Sequence, residues 1–569
     1  MVNVKNLFGM AVVATALVGC SSSDDLATDV KGNESKTEAT YAKFTIQLPT
    51  VSGTRTAGDP LFEGGTAKEY AVKDAQLVIF EKTPTSSSEG DYKFVETVKI
   101  GNLEPWNDQN SQGVTRYANI TAQLNGVSLD KTGGKYFALV ILNNDGESKV
   151  TLPTSGTYSV WNAADHAKSA AEFLKSDNGF YMANAPKYVA GDEPTTLVPI
   201  KGVYSTKAEA QNKPATTVYV ERGMAKVTIG SSTFDADKPV TTSTNYAGDK
   251  VTITNWTLDV LNKTTFPVHK TDGLNTIWNQ TWASRFFDNT STEFKRVYWG
   301  VDPNYSMTTL TDVDACKGQF YLLDRDGSTY NFDGTTGTGS SVTWADKTTP
   351  LYCLENTFDI NNMKQGQTTR VVFKATYTPA AVASETDKTF FMIGNNPKIW
   401  TMTTLKQQIT NKVQELLKST SVSVTINAGA NLLKAGSHKV TAADITITGT
   451  TASLNYDELN TKLGLDNTPG IKTYKNGECY YIARIKHFNE LTPWASGQDL
   501  YGGDNEKYLG RYGVLRNNWY DLTVSKVSAP GYPDVPEVNP TEPDDEDTKY
   551  INVEVKILDW AKRSQQVEL

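Results

Sequence analysis

Residues 41–49 read YAKFTIQLP. Phe44, Ile46 and Leu48 fall on one side and Lys43, Thr45 and Gln47 on the other, the two-residue period of a half-buried β-strand. Directly after it comes VSGTRTAGDP (51–60), a polar loop with one cationic residue, Arg55. The chain closes on YINVEVKILDWAKRSQQVEL (550–569), where Ile551, Val553, Val555 and Ile557 alternate with Asn552, Glu554, Lys556 and Leu558. Two amphipathic strands thus stand at opposite ends of the polypeptide, and a lone strand is stable only when paired.

The stretch between them reads the same way. AQLVIF (75–80), FVETVKI (94–100), KYFALVILNN (135–144), TTVYVERGMAKVTI (216–229) and KVTITNWTLDVLN (250–262) predict strands, with turn residues between them. So do TTRVVFKATYTP (368–379), KTFFMIG (388–394), SVSVTI (421–426), CYYIARIKHF (479–488) and NWYDLTVSKV (518–527). Helical spacing predicts two helices. One spans 161–176, with Ala164, Ala167, Ala171 and Leu174 on one side, and the other spans 403–419, with Leu405, Ile409, Val413 and Leu416. The 27 Tyr and 11 Trp of the 569 residues favour strands as well. The fold class is all-β with a few short helices, a sandwich architecture divided near residue 270.

The N-terminus predicts export. Lys5 precedes the apolar run LFGMAVVATALVG, which turns polar at CSSSDD, too soon for a spanning helix. Leu17, Val18, Gly19 and Cys20 are similar to a bacterial lipobox, so residues 1–19 read as a lipoprotein signal peptide and Cys20 as the lipidated residue. Membrane attachment then rests on that lipid alone, in the precursor. A net charge of −9 leaves no basic surplus for phosphates and argues against nucleic acid.

Nothing in the sequence assembles a catalytic or metal site. Cys316, Cys353 and Cys479 lack C-x-x-C spacing, and one disulfide among them stays open. His166, His269, His438 and His487 are scattered, without H-E-x-x-H or triad context, and each is expected to be replaceable without loss of fold. DRDGSTYNFDG (324–334) places Asp324, Asp326 and Ser328 like the start of a calcium loop, but Thr335 stands where a bidentate glutamate is required. An Asp/Gly-rich turn is the better reading. No cofactor, no metal and no enzymatic activity are expected.

Residues 529–549, APGYPDVPEVNPTEPDDEDTK, hold five prolines and a cluster of acids. The composition predicts an extended linker that packs on no core, reaching about 60 Å at ~3.1 Å per residue. The terminal strand 550–569 would hang on this leash.

Several motifs in this order and spacing resemble the fimbrillins of Bacteroidales, most of all the shaft subunit type of short fimbria. They are the lipobox at Cys20, GTRTAGD (53–59), YFALVILNN (136–144), YMANAP (181–186), VERGMAKV (220–227), YIARIKH (481–487), RYGVLRNNWYDLTV (511–524) and the closing VEVKILDW and VEL. The resemblance implies two tandem transthyretin-like β-sandwich domains, 56–270 and 271–528, with a C-terminal donor strand. It implies a propeptide, 20–55, removed by an arginine-specific gingipain-type protease that cuts after Arg55 and leaves Thr56 as the new N-terminus. The placeholder strand 41–50, with Phe44, Ile46 and Leu48, would leave. The donor strand 550–569, with Ile551, Val553, Val555 and Ile557, would enter the vacated groove of a neighbouring copy, and such a head-to-tail contact propagates as a filament.

The partners implied are other copies of the chain, fimbrial anchor and tip subunits, the protease, and surface receptors of host or bacteria. The location implied is a fimbrium on the cell surface, with the precursor in the outer membrane and roles in adhesion and biofilm formation. The alternatives are an anchor or tip subunit, or a glycan-binding surface lipoprotein using aromatics such as those of YGGDNEKYLGRYG (501–513).

Overall fold

The computed structural model describes residues 39–48, 66–103, 107–108, 116–144, 148–189, 193–240, 244–272, 274, 283–287, 295–331, 340–488, 508–544 and 551–559. The all-β expectation holds. Nine strands form the N-terminal sheet: β1 (Thr40–Leu48), β2 (Ala75–Glu81), β3 (Lys93–Lys99), β4 (Asn107–Asp108), β5 (Arg116–Leu124), β6 (Tyr136–Leu142), β7 (Met182–Asn184), β8 (Val198–Pro199) and β9 (Thr216–Arg222). Their order is β3–β2–β6–β7–β9–β1–β5–β4, with β8 against β6. Alternate residues of β1, β2, β5, β6 and β9 converge on one core, including Phe44, Ile46, Leu77, Ile79, Ile120, Val140 and Val218. β2 and β6 bury their other face as well, where Val78, Phe80, Leu139 and Ile141 join a second cluster with Trp161 and Phe173.

The remaining strands build the C-terminal unit. They are β10 (Ala225–Ile229), β11 (Lys238–Pro239), β12 (Lys250–Asp259), β13 (Leu261–Asn262), β14 (Phe320–Leu323), β15 (Thr329–Asn331), β16 (Ser340–Ser341), β17 (Leu351–Cys353) and β18 (Arg370–Thr378). After them come β19 (Phe390–Ile393), β20 (Ile399–Trp400), β21 (Ser423–Ile426), β22 (Gly436–His438), β23 (Ile445–Thr448), β24 (Ile471–Tyr474), β25 (Glu478–Arg484), β26 (Asn518–Val527) and β27 (Ile551–Asp559). Two four-stranded sheets, β17–β10–β26–β27 and β11–β12–β18–β25, share a core of Val227, Trp256, Phe373, Tyr481, Tyr520 and Leu522. A smaller layer, β20–β19–β24–β22 with the pair β21–β23, is covered by the helix Met402–Leu417. That helix buries Leu405, Ile409 and Val413, as its spacing predicts.

Sheet membership changes between Arg222 and Ala225, well before residue 270. The stretch 216–229 predicts one strand, but Gly223 breaks it in two: a Cβ there would lie 2.8 Å from Tyr181 and 2.9 Å from Phe173, so only glycine lets the chain pass. A buried polar seam joins the two units at this point. Lys226 Nζ lies 2.8 Å from Glu69 Oε1, Tyr352 donates to the same carboxylate at 2.6 Å, and the ammonium sits 3.6 Å from the centre of the Trp519 ring.

The expected helix 161–176 is broken into turns at Tyr158–Trp161, Ala164–His166 and Ala170–Phe173. The cause is local pairing: Thr151 N donates to His166 O and Lys168 N to Lys149 O, which holds 166–168 extended. Residues 529–544 also depart from expectation. They pack on the C-terminal unit, with Val535 and Val538 buried in separate apolar clusters.

Asp302 is buried and accepts from Asn262 Nδ2, Thr357 N and Asn304 N, each at 2.7 Å. Burial pushes its carboxyl up to about 7 in spite of those donors. The folded state therefore binds a proton that the unfolded chain, titrating near 4, has released. This group's share of stability is present at low pH and is lost as pH rises toward 7. The expected result is that Asp302→Asn shows a flatter fall in melting temperature between pH 5 and 8 than the parent, read by calorimetry.

Candidate strand-exchange site

The expected site strands are the two terminal ones, and the structure gives them unlike places. β1 lies inside its sheet. It pairs antiparallel with β5 from Thr40↔Leu124 to Leu48↔Arg116, and parallel with β9 from Phe44↔Thr216 to Gln47↔Tyr219. Ala42, Phe44 and Ile46 are wholly buried and Leu48 nearly so, while Tyr41, Lys43, Thr45 and Gln47 lie on the outer, half-exposed face. Three large side chains buried at about 1.5–3 kcal/mol each put the gross apolar contribution at roughly 5–9 kcal/mol.

Polar contacts fix its register. Thr40 Oγ1 donates to Val127 O at 3.0 Å and Thr45 Oγ1 to Asn119 Oδ1 at 2.7 Å. Tyr41 and Tyr204 exchange backbone hydrogen bonds of 2.8 and 2.9 Å, and Lys43 Nζ caps Gln211 O at 3.0 Å.

The covalent link from this strand to the rest of the fold runs only through residues 49–65. Those residues, with Arg55 and Thr56, lie outside the described residues, as does Cys20. Beyond them the chain is fastened at once. Thr66 N donates to Glu69 Oε2 at 2.7 Å in a capping box, and Glu69 is the carboxylate of the buried seam with Lys226. Burial opposes its ionisation, but Lys226 and Tyr352 together hold its carboxyl below the ordinary value. A cut in the loop would therefore free only what precedes it. Without β1, β5 and β9 would both present unpaired backbone beside an apolar trough.

β27 lies at a sheet edge. It pairs antiparallel with β26 from Asn518↔Asp559 to Val527↔Ile551, with an irregularity between Val524 and Lys526. Val553, Val555 and Ile557 stand opposite Val524, Leu522 and Tyr520. An edge strand can leave at the cost of one ladder, whereas removing an interior strand breaks two.

Residues 472–566 match the family described as major fimbrial subunit protein type IV, Fimbrillin, C-terminal. The chain's end is fimbrillin-like. The matched stretch runs from β24 through β27, so it holds both the edge strand and the partner it pairs with. A comparison with curated proteins returned no match. Among solved structures, a candidate cell adhesion protein from Parabacteroides distasonis ATCC 8503 is 12% identical, with a TM-score of 0.36, covering 92% of this chain and 98% of that one. Another from Bacteroides eggerthii DSM 20697 is 12% identical with a TM-score of 0.33, covering 93% and 98%. A C-terminally truncated tip fimbrial protein from Porphyromonas gingivalis is 12% identical with a TM-score of 0.28, covering 91% and 100%.

The other candidate residues are engaged in structure. Among the described residues no group of three or more His, Cys, Asp or Glu side chains is placed to hold a metal ion. Asp326 accepts from the Ser328 amide and hydroxyl, Gly327 N bonds to Asp324 O, and Arg325 pairs with Asp534, while Thr335 lies outside the described residues. Cys316, Cys353 and Cys479 are free and buried, and burial pushes each thiol up to about 12. Residues 501–507 lie outside the described residues, and Tyr512 of the aromatic stretch 501–513 is fully buried.

Two histidines correct the expectation that all four are replaceable. His269 sits between Glu221 Oε1, 2.7 Å from Nδ1, and Trp299 O, 3.2 Å from Nε2. His487 bridges Tyr520 Oη and Tyr298 O, each at 2.7 Å. Nothing in their sequence spacing signals this, because the partners are distant in sequence. His269→Ala leaves the buried Glu221 short of a donor and is expected to cost about 3 kcal/mol in urea unfolding, against no measurable change for the half-exposed His166→Ala.

Proposed function

We propose that this chain is a structural subunit of a cell-surface fimbrium, the shaft type, exported as a lipoprotein on Cys20. An arginine-specific protease cuts after Arg55, β1 leaves with the propeptide, and Thr56 becomes the N-terminus. The C-terminal strand of a neighbouring copy, carrying Ile551, Val553, Val555 and Ile557, then fills the trough once held by Phe44, Ile46 and Leu48. Repetition gives a head-to-tail filament, capped and anchored by tip and anchor subunits, that supports adhesion and biofilm formation.

The observation that carries this reading is an N-terminal strand buried in the middle of a sheet whose only covalent tie is one loop. Such a strand is well made for folding and, once cut, is held by noncovalent contacts alone. The fimbrillin match over 472–566 supports the same reading from the other end of the chain. Parallel pairing with β9 adds to it, since a single inserted strand satisfies two neighbours at once. N-terminal sequencing of the protein recovered from the cell surface tests it: the expected first residue is Thr56, and a mature form beginning at Cys20 in assembled filaments would contradict it.

A further inference from the structure

The tail before β27 is sewn to the C-terminal unit along its length. Tyr532 and Tyr480 exchange backbone hydrogen bonds of 2.8 and 2.7 Å, and Val535 N donates to Arg325 O at 2.9 Å. The side chains of Val535 and Val538 are buried in two different clusters, and Arg370 donates to Pro536 O. Gln365 N bonds to Glu542 O at 3.1 Å and Asp544 N to Met363 O at 2.9 Å.

The last fastening is electrostatic. Arg370 in β18 and Arg484 in β25 stand directly opposite each other in the ladder, both buried. Asp259 neutralises Arg370 at 2.7 Å, and Asp544, with no exposed surface, pairs with Arg484. If the tail lifted, Arg484 would lose its counter-ion while still facing a second guanidinium, Arg370, across the ladder, which is unfavourable. Asp544 is the core's own counter-ion, supplied by the tail.

We infer that residues 529–544 are a permanent strap, buttoned by Asp544 onto Arg484, which fixes the point from which the C-terminal strand departs toward a second copy of this chain. This rests on the strand-exchange reading above. Only residues 545–550 then separate the button from Ile551, a reach of about 20 Å at full extension, so the acceptor strands β5 and β9 of the neighbour must lie close to Asp544. The ~60 Å leash expected from composition is thereby cut to the few residues beyond Asp544, and tension along a filament enters each subunit at Asp544.

Hydrogen exchange on the full-length cleaved monomer tests the strap without any filament. The Tyr532, Val535 and Asp544 amides are expected to be protected in the parent, and Asp544→Asn to speed their exchange at least tenfold while the β9 amides stay unchanged. The paired variant Asp544→Leu with Arg484→Met, which removes both charges, is expected to restore protection. Free-chain exchange of those amides in the parent would overturn the proposal. In filaments viewed by electron microscopy, Asp544→Asn is expected to make the subunit repeat irregular and the filament several-fold more flexible. A repeat unchanged while the amides are released would also overturn it. Failure of the exchange reading shows elsewhere, as ordered filaments from a chain truncated after residue 548, so the two outcomes are distinguishable.

Discussion

Arg55→Ala is expected to leave the chain as a monomer that still carries its N-terminal segment. With the loop uncut, β1 stays covalently tied and keeps both its ladders, to β5 and β9. A competing strand must then displace Phe44, Ile46 and Leu48, held at an effective concentration that a neighbour in solution cannot match. The gross burial at stake, roughly 5–9 kcal/mol for the three side chains, is of the size that separates complete from negligible exchange. Size-exclusion chromatography after protease treatment should show no polymer for the variant and polymer for the parent. A second variant separates cutting from displacement: Phe44→Asp weakens the strand without touching the loop. It is expected to fold poorly as precursor, because an unpaired carboxylate would be buried in the core. Filaments of Arg55→Ala protein with residues 41–48 still in place would rule out β1 as placeholder.

Truncation after residue 548 is expected to abolish polymerisation while the monomer remains folded. The strap to Asp544 stays, so the C-terminal core keeps the counter-ion of Arg484. What goes is β27, the edge partner of β26. The truncated monomer should therefore melt somewhat lower than the parent and show a new unpaired edge along Asn518–Val527. Four aliphatics, Ile551, Val553, Val555 and Ile557, would be missing from the neighbour's trough, a gross loss of roughly 6–12 kcal/mol before association costs. Val555→Asp should act almost as strongly as truncation, and Glu554→Lys on the other side of the strand should be mild. Filament length by electron microscopy, alongside monomer melting, reads both effects. Ordered filaments from the truncated chain would place the donor strand elsewhere.

Both terminal strands were legible because alternation is a local property: Phe44, Ile46 and Leu48 need no distant partner to be recognised. The helix Met402–Leu417 was legible for the same reason. The break between β9 and β10 was not, because Gly223 reads as one glycine inside a predicted strand, and only the approach of Tyr181 and Phe173 gives it meaning. The helix expected over 161–176 failed because alanine spacing competes with backbone pairing to 149–151, which no window of that length contains. The tail failed as a linker because its partners lie upstream: Val535 and Val538 enter apolar clusters, its backbone pairs with Tyr480 and Arg325, and Asp544 meets Arg484. Proline and acid content is a fair sign of an unpacked chain, but Asp544 has a buried arginine waiting for it. That arginine is offered by β25, far upstream in sequence. The parallel neighbour of β1 was likewise invisible, since pairing partners are a property of topology.

If strands are exchanged, the strand beside β5 in the filament belongs to another copy. Asn119 in β5 is exposed and faces Thr45 of β1, so a cysteine there reports on whatever strand occupies that place. One copy carrying Asn119→Cys should be mixed, after processing, with copies carrying Asn552→Cys, Glu554→Cys or Lys556→Cys, and the oxidised products analysed by mass spectrometry. A disulfide between the two copies is expected for at least one of the three positions, formed only in assembled material that has lost residues 41–48. Filaments that give no cross-link at any of the three positions, and that still contain the peptide 41–48, would contradict it.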